Sequence, residues 1–396
     1  MVHVQSHLKK MQFSGKRVFV RADINVPLNH GKILNDHRLQ ATLPTLRYIL
    51  EHGGRLIVAT HLGRPKDREQ ALSTQHLIPW FENQGFEAIF ASDVSQAEQE
   101  SRHVQGKQLV LLENLRFFPG EKTADPQFAQ QLKNCADYYV DDAFATLHRT
   151  DTSVTLLPEL FDAQHRTIGF LVEHELAMLN KLLEHPRRPF VLILGGGKVN
   201  DKLPLLKNML EHVQTILLCP AIVFTFLKSQ GISVGKSLVD DSALDFCTEF
   251  IAHAKQQNVN IVFPIDYQIA EGTFSGPLTY CESPELPKSA VGISIGKKTA
   301  ELFARHIMNA GTTFYNGTMG TLARPETLGG IRAVFEAMAE SKSFTVIGGG
   351  DSVAVAQKYG FDTKIDLLST GGGATLAYLG GEALPGLQPF VQKKSS

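Results

Sequence analysis

Short apolar segments that alternate with helix-like segments dominate the pattern of this sequence. Residues 56–59, 108–112, 138–140 and 290–295 are four such apolar segments. The leucines within 39–52 recur at the spacing of one helical face. Strands that are apolar along their whole length are buried on both sides, as in a parallel sheet that helices cover. The sequence therefore predicts an α/β fold with mainly parallel sheets.

The length of the chain predicts more than one domain. Its 396 residues exceed the usual size of a single domain. An apolar-periodic stretch over 173–184, stopped by Pro186, is predicted to be a helix that connects two domains. We expect a first domain at 1–168, a connecting helix at 169–187, a second domain at 188–375 and a C-terminal segment at 376–396.

Charge and composition exclude several classes of protein. The 39 basic and 40 acidic residues give a net charge of −1, without the basic excess of a nucleic-acid-binding surface. No apolar run approaches the ~20 residues of a membrane span, and the first 15 residues lack the apolar core of a signal peptide. Four dispersed cysteines without a CxxC pair indicate free thiols. We expect a cytoplasmic protein that binds neither nucleic acid nor membrane.

Basic and polar side chains follow four predicted strands in the first half. Ligands of parallel sheets bind outside the carboxyl ends of the strands, and arginine binds phosphate and carboxylate through two hydrogen bonds. One surface arginine is usually only a solvated charge, but a group of them predicts a site for a small, strongly anionic substrate. The residues concerned are Asp23, Asn25, His61, Arg64, Arg116, His148 and Arg149, with Arg38 on a nearby loop.

Three glycine triplets, at 195–197, 348–350 and 371–373, follow predicted strands in the second half. Glycine lets backbone N–H groups approach an anion, and a helix N-terminus favours negative charge at the same place. A single triplet can be explained by a tight turn alone. Three triplets predict a binding site for nucleotide phosphates.

Charged residues next to these triplets extend that prediction. Lys198 and Lys202 follow the first triplet, although Pro204 leaves open whether they share a helical face. Asp351 follows the second triplet and can either hold Mg²⁺ on a nucleotide or simply cap a helix. A small polyanion in one half and a nucleotide in the other together indicate phosphoryl transfer between a nucleotide and a small acid.

The motifs at these positions resemble those of the phosphoglycerate kinase family, in the same order and over nearly the whole chain. They are Arg21-Ala-Asp23-Ile-Asn25-Val-Pro27, His61-Leu-Gly-Arg64-Pro65, Leu111-Leu-Glu-Asn-Leu-Arg116-Phe117, Asp142-Ala-Phe144 with His148-Arg149, Gly195-Gly-Gly-Lys198-Val, Gly235-Lys-Ser-Leu-Val239, Gly348-Gly-Gly-Asp351 and Ser369-Thr-Gly-Gly-Gly-Ala374.

The resemblance implies two Rossmann-like, three-layer α/β/α domains joined by a hinge helix, with a C-terminal segment that returns to the first domain. It implies a monomeric glycolytic kinase that catalyses reversible transfer of a phosphoryl group from 1,3-bisphosphoglycerate to ADP, giving 3-phosphoglycerate and ATP, with Mg²⁺ bound with the nucleotide.

The resemblance also implies roles for individual residues. Arg38 and Lys198, with the amides of Gly349 and Gly372, are expected to stabilise the transferring phosphoryl group. The expected phosphoglycerate ligands are Asp23, Asn25, Arg38, His61, Leu62, Gly63, Arg64, Arg116 and Arg149. The expected nucleotide ligands are Lys198, Lys202, Gly349, Gly350, Asp351, Ser352 and Ala323, and the metal ligand is Asp351.

Departures from the family pattern fall mainly on the nucleotide side. Ala323 stands where the family has a glutamate that holds the ribose, Thr318 replaces a proline, and Cys219-Pro220-Ala221 replaces a glycine-rich turn. Glu326 is a possible substitute for the missing carboxylate. Three alternatives therefore stay open: a preference for another purine nucleotide, a different small acid as substrate, and a non-catalytic metabolite sensor that has kept the fold.

Overall fold

The computed structural model describes residue 4, residues 6–197 and residues 199–391. Lys198, expected to contact the transferring phosphoryl group, lies outside the described residues. The chain forms two compact units. One comprises the chain up to Ala177 together with the segment that begins at Ala383, and the other comprises Met178–Glu382.

The first unit is built on a six-stranded parallel sheet and also contains a two-stranded hairpin. The eight strands of this unit are β1 (Arg17–Ala22), β2 (Leu28–Asn29), β3 (Lys32–Ile33), β4 (Arg55–Ala59), β5 (Glu87–Ala91), β6 (Gln108–Leu112), β7 (Tyr138–Asp142) and β8 (Arg166–Ile168). Its helices are α1 (His37–Glu51), α2 (Ile78–Asn83), α3 (Val94–Ser101), α4 (Pro126–Asn134), α5 (Leu156–Glu159) and the first part of α6 (Phe170–Leu183). The sheet order is β5-β6-β4-β1-β7-β8, and β2 and β3 form a separate hairpin.

Alternate residues of β1 belong to different apolar cores. Val18 and Val20 pack into one buried cluster and Phe19 into another, because successive side chains of a strand point to opposite faces of the sheet. Both faces are therefore covered, which explains why the strands are apolar along their whole length.

The second unit contains a parallel six-stranded sheet and a smaller antiparallel one. Its strands are β9 (Phe190–Gly196), β10 (Thr215–Ala221), β11 (Asn260–Val262), β12 (Tyr267–Glu271), β13 (Leu278–Cys281), β14 (Ala290–Ile295), β15 (Thr312–Asn316), β16 (Phe344–Gly348) and β17 (Leu367–Leu368). Its helices are α7 (Leu203–Met209), α8 (Ile222–Ser229), α9 (Leu244–Gln256), α10 (Lys297–Met308), α11 (Gly329–Glu340), α12 (Gly350–Lys358) and α13 (Gly373–Leu379). The parallel sheet has the order β11-β10-β9-β15-β16-β17.

The predicted α/β class with mainly parallel sheets is confirmed. The apolar segment 290–295 is a strand as predicted, β14, and it pairs antiparallel with β12 outside the parallel sheet. One feature of the prediction needs correction. Arg38 lies in the first turn of α1 and not on a loop, because the helix begins two residues before the apolar periodicity of 39–52.

The segment after Ala383 packs within the first unit. Gly386 donates its N–H to the carbonyl of Leu147 at 2.9 Å, and the Phe390 ring stacks on Tyr139. A Cβ at Gly386 would lie 2.6 Å from a methyl carbon of Val154. This segment therefore supports the turn after β7, which carries His148 and Arg149.

Within the described part of the chain, no helix combines the length and hydrophobicity needed to cross a membrane. The four cysteines are free, and three of them are buried.

Candidate active site

His61 lies at the centre of a group of polar side chains at the carboxyl edge of the first sheet. These side chains, here called the basic rim, are Asp23, Asn25, Arg38, His61, Arg64, Arg116 and Arg149. Arg38 lies in the first turn of α1, and the other residues of the rim follow β1, β4, β6 and β7. These four strands are neighbours in the sheet. The sequence therefore predicted correctly which strand ends meet.

The imidazole of His61 is 2% exposed and contacts three donor groups. Its Nδ1 lies 3.2 Å from Nη2 of Arg21. Its Nε2 lies 3.2 Å from Nη1 of Arg149 and 3.5 Å from Nδ2 of Asn25. Burial, followed by the charges of nearby arginines, lowers the pKa of His61 well below 6.5. The ring is therefore neutral at physiological pH.

Arg38 is positioned by a buried carboxylate. Its Nη1 donates to Oδ1 of Asp23 at 2.5 Å. Asp23 is completely buried, and its Oδ2 has no hydrogen-bond partner within the described part of the chain. Because Arg38 begins α1, its backbone is rigid and its side chain is held by charge. Asp23 thus acts on the rim by orienting a cation.

Side chains from other parts of the first unit bind the backbone groups of the turn after β4. Gly63 has a φ of 60°, donates its N–H to Oδ1 of Asn25 at 2.9 Å and accepts from Nη1 of Arg116 at 2.5 Å. Asn114 accepts from the N–H of Leu62 and donates to its carbonyl. Leu62 is completely buried.

Positive charge accumulates on the rim. Burial, then the charge of Arg149, lowers the pKa of Arg116 to about 10. Arg64 is exposed and adds to the repulsion felt by both of these arginines. His148 lies one residue before Arg149, and burial lowers its pKa. Such mutual repulsion is relieved by an anion, and a compact polyanion therefore fits the rim.

Two further residues of the site, Arg21 and Asp151, were not predicted from the sequence. Arg21 is completely buried and contacts His61. Asp151 is 8% exposed, and its carboxylate lies 4.0 Å from Nη1 of Arg149. An arginine at the end of an otherwise apolar strand was the available signal for Arg21, because a charge is rarely buried without a function or a partner.

The turns after β9, β15 and β16 lie side by side in the second unit. Gly196 has a φ of 80°, and a Cβ there would lie 3.4 Å from Nζ of Lys202 and 3.6 Å from Cα of Gly317. Lys202 is only 6% exposed. The first glycine turn therefore holds a buried ammonium group next to its backbone, which suits a phosphate oxygen.

The second glycine turn opens α12. Gly349 is its N-cap with a φ of 96°, and a Cβ there would lie 3.3 Å from Nδ2 of Asn316. No side chain caps this helix, so the alternative that Asp351 is a simple N-cap is wrong. Ser352 has a buried hydroxyl without a hydrogen-bond partner among the described residues, and Asp351 is exposed in the first turn.

The third glycine turn opens α13. Gly372 is the N-cap with a φ of 52°, and the space around its missing Cβ is open to 4 Å. Gly371 donates its N–H to Oγ of Ser369 at 3.2 Å. We call the turns at 195–197, 348–350 and 371–373, together with Lys202, the glycine cradle.

The turn at 321–324 carries the main departure on the nucleotide side. Ala323 is exposed there and has no polar side-chain atom. The carboxylate of Glu326 accepts from Nε of Arg324 at 2.9 Å. The two Nη atoms of Arg324 bind the carbonyls of Phe274 and Gly276. Glu326 is thus held by a fixed arginine.

Comparison with known proteins identifies the family. A sequence model of phosphoglycerate kinase matches residues 8–382. The chain belongs to the phosphoglycerate kinase family. The phosphoglycerate kinase of Chlorobium luteolum is 39% identical over an alignment of 395 positions, which covers 96% of this chain and 98% of that protein. That of Akkermansia muciniphila is 38% identical and covers 98% of both chains.

Solved structures agree with the sequence comparison. The phosphoglycerate kinase of Coxiella burnetii superposes with a TM-score of 0.83 at 30% identity and covers 98% of this chain and 99% of its own. The one from Pyrococcus horikoshii has a TM-score of 0.82 and covers 98% of both. The family is the glycolytic kinase that acts on phosphoglycerate with ADP and ATP, so the predicted phosphotransferase function is confirmed.

Proposed function

We propose that the basic rim binds phosphoglycerate and that the glycine cradle binds the phosphates of ADP and ATP. The observation that carries this proposal is the group of cations around a neutral His61 at four adjacent strand ends. Phosphoryl transfer between these ligands converts 1,3-bisphosphoglycerate and ADP into 3-phosphoglycerate and ATP. The proposed phosphoglycerate ligands are Asp23, Asn25, Arg38, His61, Leu62, Gly63, Arg64, Arg116 and Arg149.

The reaction needs positioning and positive charge more than covalent catalysis. Arg38, fixed by Asp23, is the group proposed to meet the charge that develops on the transferring phosphoryl oxygens. Lys198 is proposed to act with it. The amides of Gly349 and Gly372, at the N-termini of α12 and α13, supply further donors without any change of protonation.

The nucleotide is proposed to bind through Lys202, Gly349, Gly350, Asp351 and Ser352. Within the described residues no group of three His, Cys, Asp or Glu side chains forms a metal site. A single exposed carboxylate such as Asp351 fits Mg²⁺, which keeps several waters and is otherwise held by substrate phosphates. When bound, Mg²⁺ neutralises phosphate charge, and Asp351 is proposed to hold it.

Four further proposals follow from family membership. Residues 169–187 serve as the hinge between the acid-binding and nucleotide-binding domains. Of the predicted C-terminal segment 376–396, the part that begins at Ala383 completes the first domain. The enzyme works as a monomer, and it works in the cytoplasm, where glycolytic substrates are found.

A charge-removing variant of Arg38 tests the proposed mechanism. ATP formation from 1,3-bisphosphoglycerate and ADP is expected to fall about 10²–10³-fold in kcat in Arg38→Ala, the usual loss for a donor that stabilises developing charge. Arg47→Ala is the matched control, because Arg47 is an exposed residue of the same helix. Near-equal turnover in the two variants, with both folded, contradicts the role of Arg38.

A second proposal concerns the choice of nucleotide. Ala323 offers no carboxylate, and Glu326 is paired with Arg324. We expect weaker discrimination among purine nucleotides than a glutamate at 323 would give. The ratio of kcat/KM for ADP to that for GDP measures it, and Ala323→Glu is expected to raise this ratio. A strong preference for ADP that Ala323→Glu leaves unchanged contradicts the proposal.

A further inference from the structure

His61 is surrounded by more hydrogen-bond donors than its ring can satisfy. Arg21 and Arg149 each place a guanidinium nitrogen 3.2 Å from a different ring nitrogen, and guanidinium groups only donate. The Asn25 amide also presents its nitrogen, since its oxygen already accepts from Gly63. A neutral imidazole has one acceptor nitrogen and one N–H. Only one of the two guanidinium contacts is therefore a hydrogen bond.

Arg21 is the less movable of the two arginines. It is completely buried, and its Nε and Nη1 donate to Oγ of Ser153 and to the carbonyl of Ala22, each at 2.9 Å. Its Nη2 faces Nδ1 of His61. Turning away would leave a buried donor unpaired, at a cost of about 1–3 kcal/mol.

Ser153 is fixed in turn by a buried carboxylate. Its Oγ donates to Oε1 of Glu121 at 2.6 Å, and its N–H donates to Oε2 at 3.0 Å. Both residues are completely buried. The Ser153 hydroxyl proton is therefore committed to Glu121, and its oxygen is oriented to accept from Arg21. We call Arg21, Ser153 and Glu121 the positioning triad.

Arg149 has more freedom than this triad. Its side chain is 26% exposed, so water can satisfy its donors when it leaves the ring. Its nearest carboxylate, that of Asp151, is 4.0 Å away, beyond hydrogen-bond distance. The contact between Arg149 and Nε2 is thus the weaker of the two contacts that compete for His61.

We propose that the positioning triad fixes His61 as the tautomer that carries its proton on Nε2. Nδ1 then accepts from Arg21, because the bond at one ring nitrogen decides the protonation of the other. The Nε2–H and the nearest Arg149 nitrogen become two donors 3.2 Å apart. A substrate carboxylate or phosphate oxygen can accept from both, so the rim is arranged for an anion before the anion arrives. This role rests on the proposed binding of phosphoglycerate at the rim.

The tautomer can be measured without any catalysis. In full-length wild-type protein with ¹⁵N-labelled histidine, a long-range ¹H–¹⁵N spectrum at pH 8 is expected to show the His61 proton on Nε2. That pH lies above the pKa of about 7 to which burial raises Glu121. The signals of His61 are assigned by their loss in His61→Gln. A proton on Nδ1 overturns the proposal, whether or not the rim binds phosphoglycerate.

Variants of Ser153 test the consequence for binding. Ser153→Ala is expected to give a mixture of tautomers and to raise KM for 3-phosphoglycerate about tenfold, the value of one charge-assisted hydrogen bond, with a smaller change in kcat. Ser153→Thr keeps the hydroxyl and is expected to restore both readouts. Ser101→Ala is the matched control, since Ser101 is also completely buried but binds the Glu98 and Cys135 carbonyls. A Ser153→Ala protein with the wild-type tautomer and the KM of Ser101→Ala contradicts the positioning role.

Discussion

Gly349 shows how a single residue fixes the geometry of the nucleotide side. Its φ of 96° and ψ of 128° are available to glycine but strained for other residues. A Cβ there would also lie 3.3 Å from the Asn316 amide nitrogen, closer than an ordinary contact. This conformation leaves the N-terminus of α12 without a side-chain cap.

We therefore expect Gly349→Ala to lower the free energy of unfolding of the second unit by about 1–3 kcal/mol, the usual cost of a strained backbone position. Urea unfolding followed by circular dichroism measures it. Trp80, the single tryptophan of the chain, lies in α2 and serves as a separate fluorescence probe of the first unit.

Gly350→Ala is the matched control for this substitution. Gly350 has no heavy atom within 4 Å of its missing Cβ, and its φ is not positive. Equal stabilities of the two alanine variants contradict the argument from backbone strain.

At this scale the sequence predicted residue types better than contacts. Spacing placed His61, Arg116 and Arg149 at strand ends, and the structure brings them together. The buried partners Arg21, Ser153 and Glu121 could not be grouped, because they are far apart in sequence. Only the packing of the segments after β6 and β7 against the end of β1 makes them neighbours. Asp351 remained ambiguous for a related reason, since a local pattern does not distinguish the N-cap from the second residue of a helix.

The start of α6 depends on a carboxylate from another element. Asp142, at the end of β7, accepts the N–H groups of Leu171 and Val172 at 2.9 and 3.4 Å. It is completely buried, and burial raises its pKa to about 7. A Cβ at Gly169 would lie 2.2 Å from the same carboxylate oxygen, so this packing requires glycine there.

The raised pKa of Asp142 predicts how stability depends on pH. The folded state binds this proton more tightly than the unfolded state, in which the pKa is near 3.8. The free energy of unfolding therefore falls as pH rises through 7. Asp142→Asn keeps an acceptor oxygen and removes the titration. Between pH 6 and 8 the free energy of unfolding of the wild type is expected to fall by about 1 kcal/mol more than that of this variant.

Urea unfolding followed by Trp80 fluorescence at pH 6, 7 and 8 measures that difference. Asp93→Asn is the control, because Asp93 is an exposed N-cap of α3, and it is expected to follow the wild-type slope. Parallel slopes for wild type and Asp142→Asn refute the role assigned to this buried carboxylate.

At the scale of elements, the apolar strands were predictable and several other features were not. Segments such as 108–112 and 290–295 have the bounds of β6 and β14. The pattern of β14 did not distinguish a parallel from an antiparallel neighbour, because a buried strand is apolar in both. Its pairing with β12 depends on a chain reversal that leaves no signal in the apolar pattern.

The two kinds of binding group lie in different units of the molecule. The first unit carries cations that suit a small acid, and the second carries glycine turns and Lys202 that suit nucleotide phosphates. The rim alone does not identify the acid, since arginines bind any compact polyanion. Membership of the phosphoglycerate kinase family supplies that identification.

The most direct test of this division is calorimetric titration of two variants with both ligands. Lys202→Ala is expected to weaken ADP binding at least tenfold and to leave 3-phosphoglycerate binding within about twofold, because a charged hydrogen bond is lost in one unit only. Arg149→Ala is expected to give the reverse pattern. If either variant weakens both ligands equally, or if the two patterns are exchanged, the assignment of acid and nucleotide to separate units is wrong.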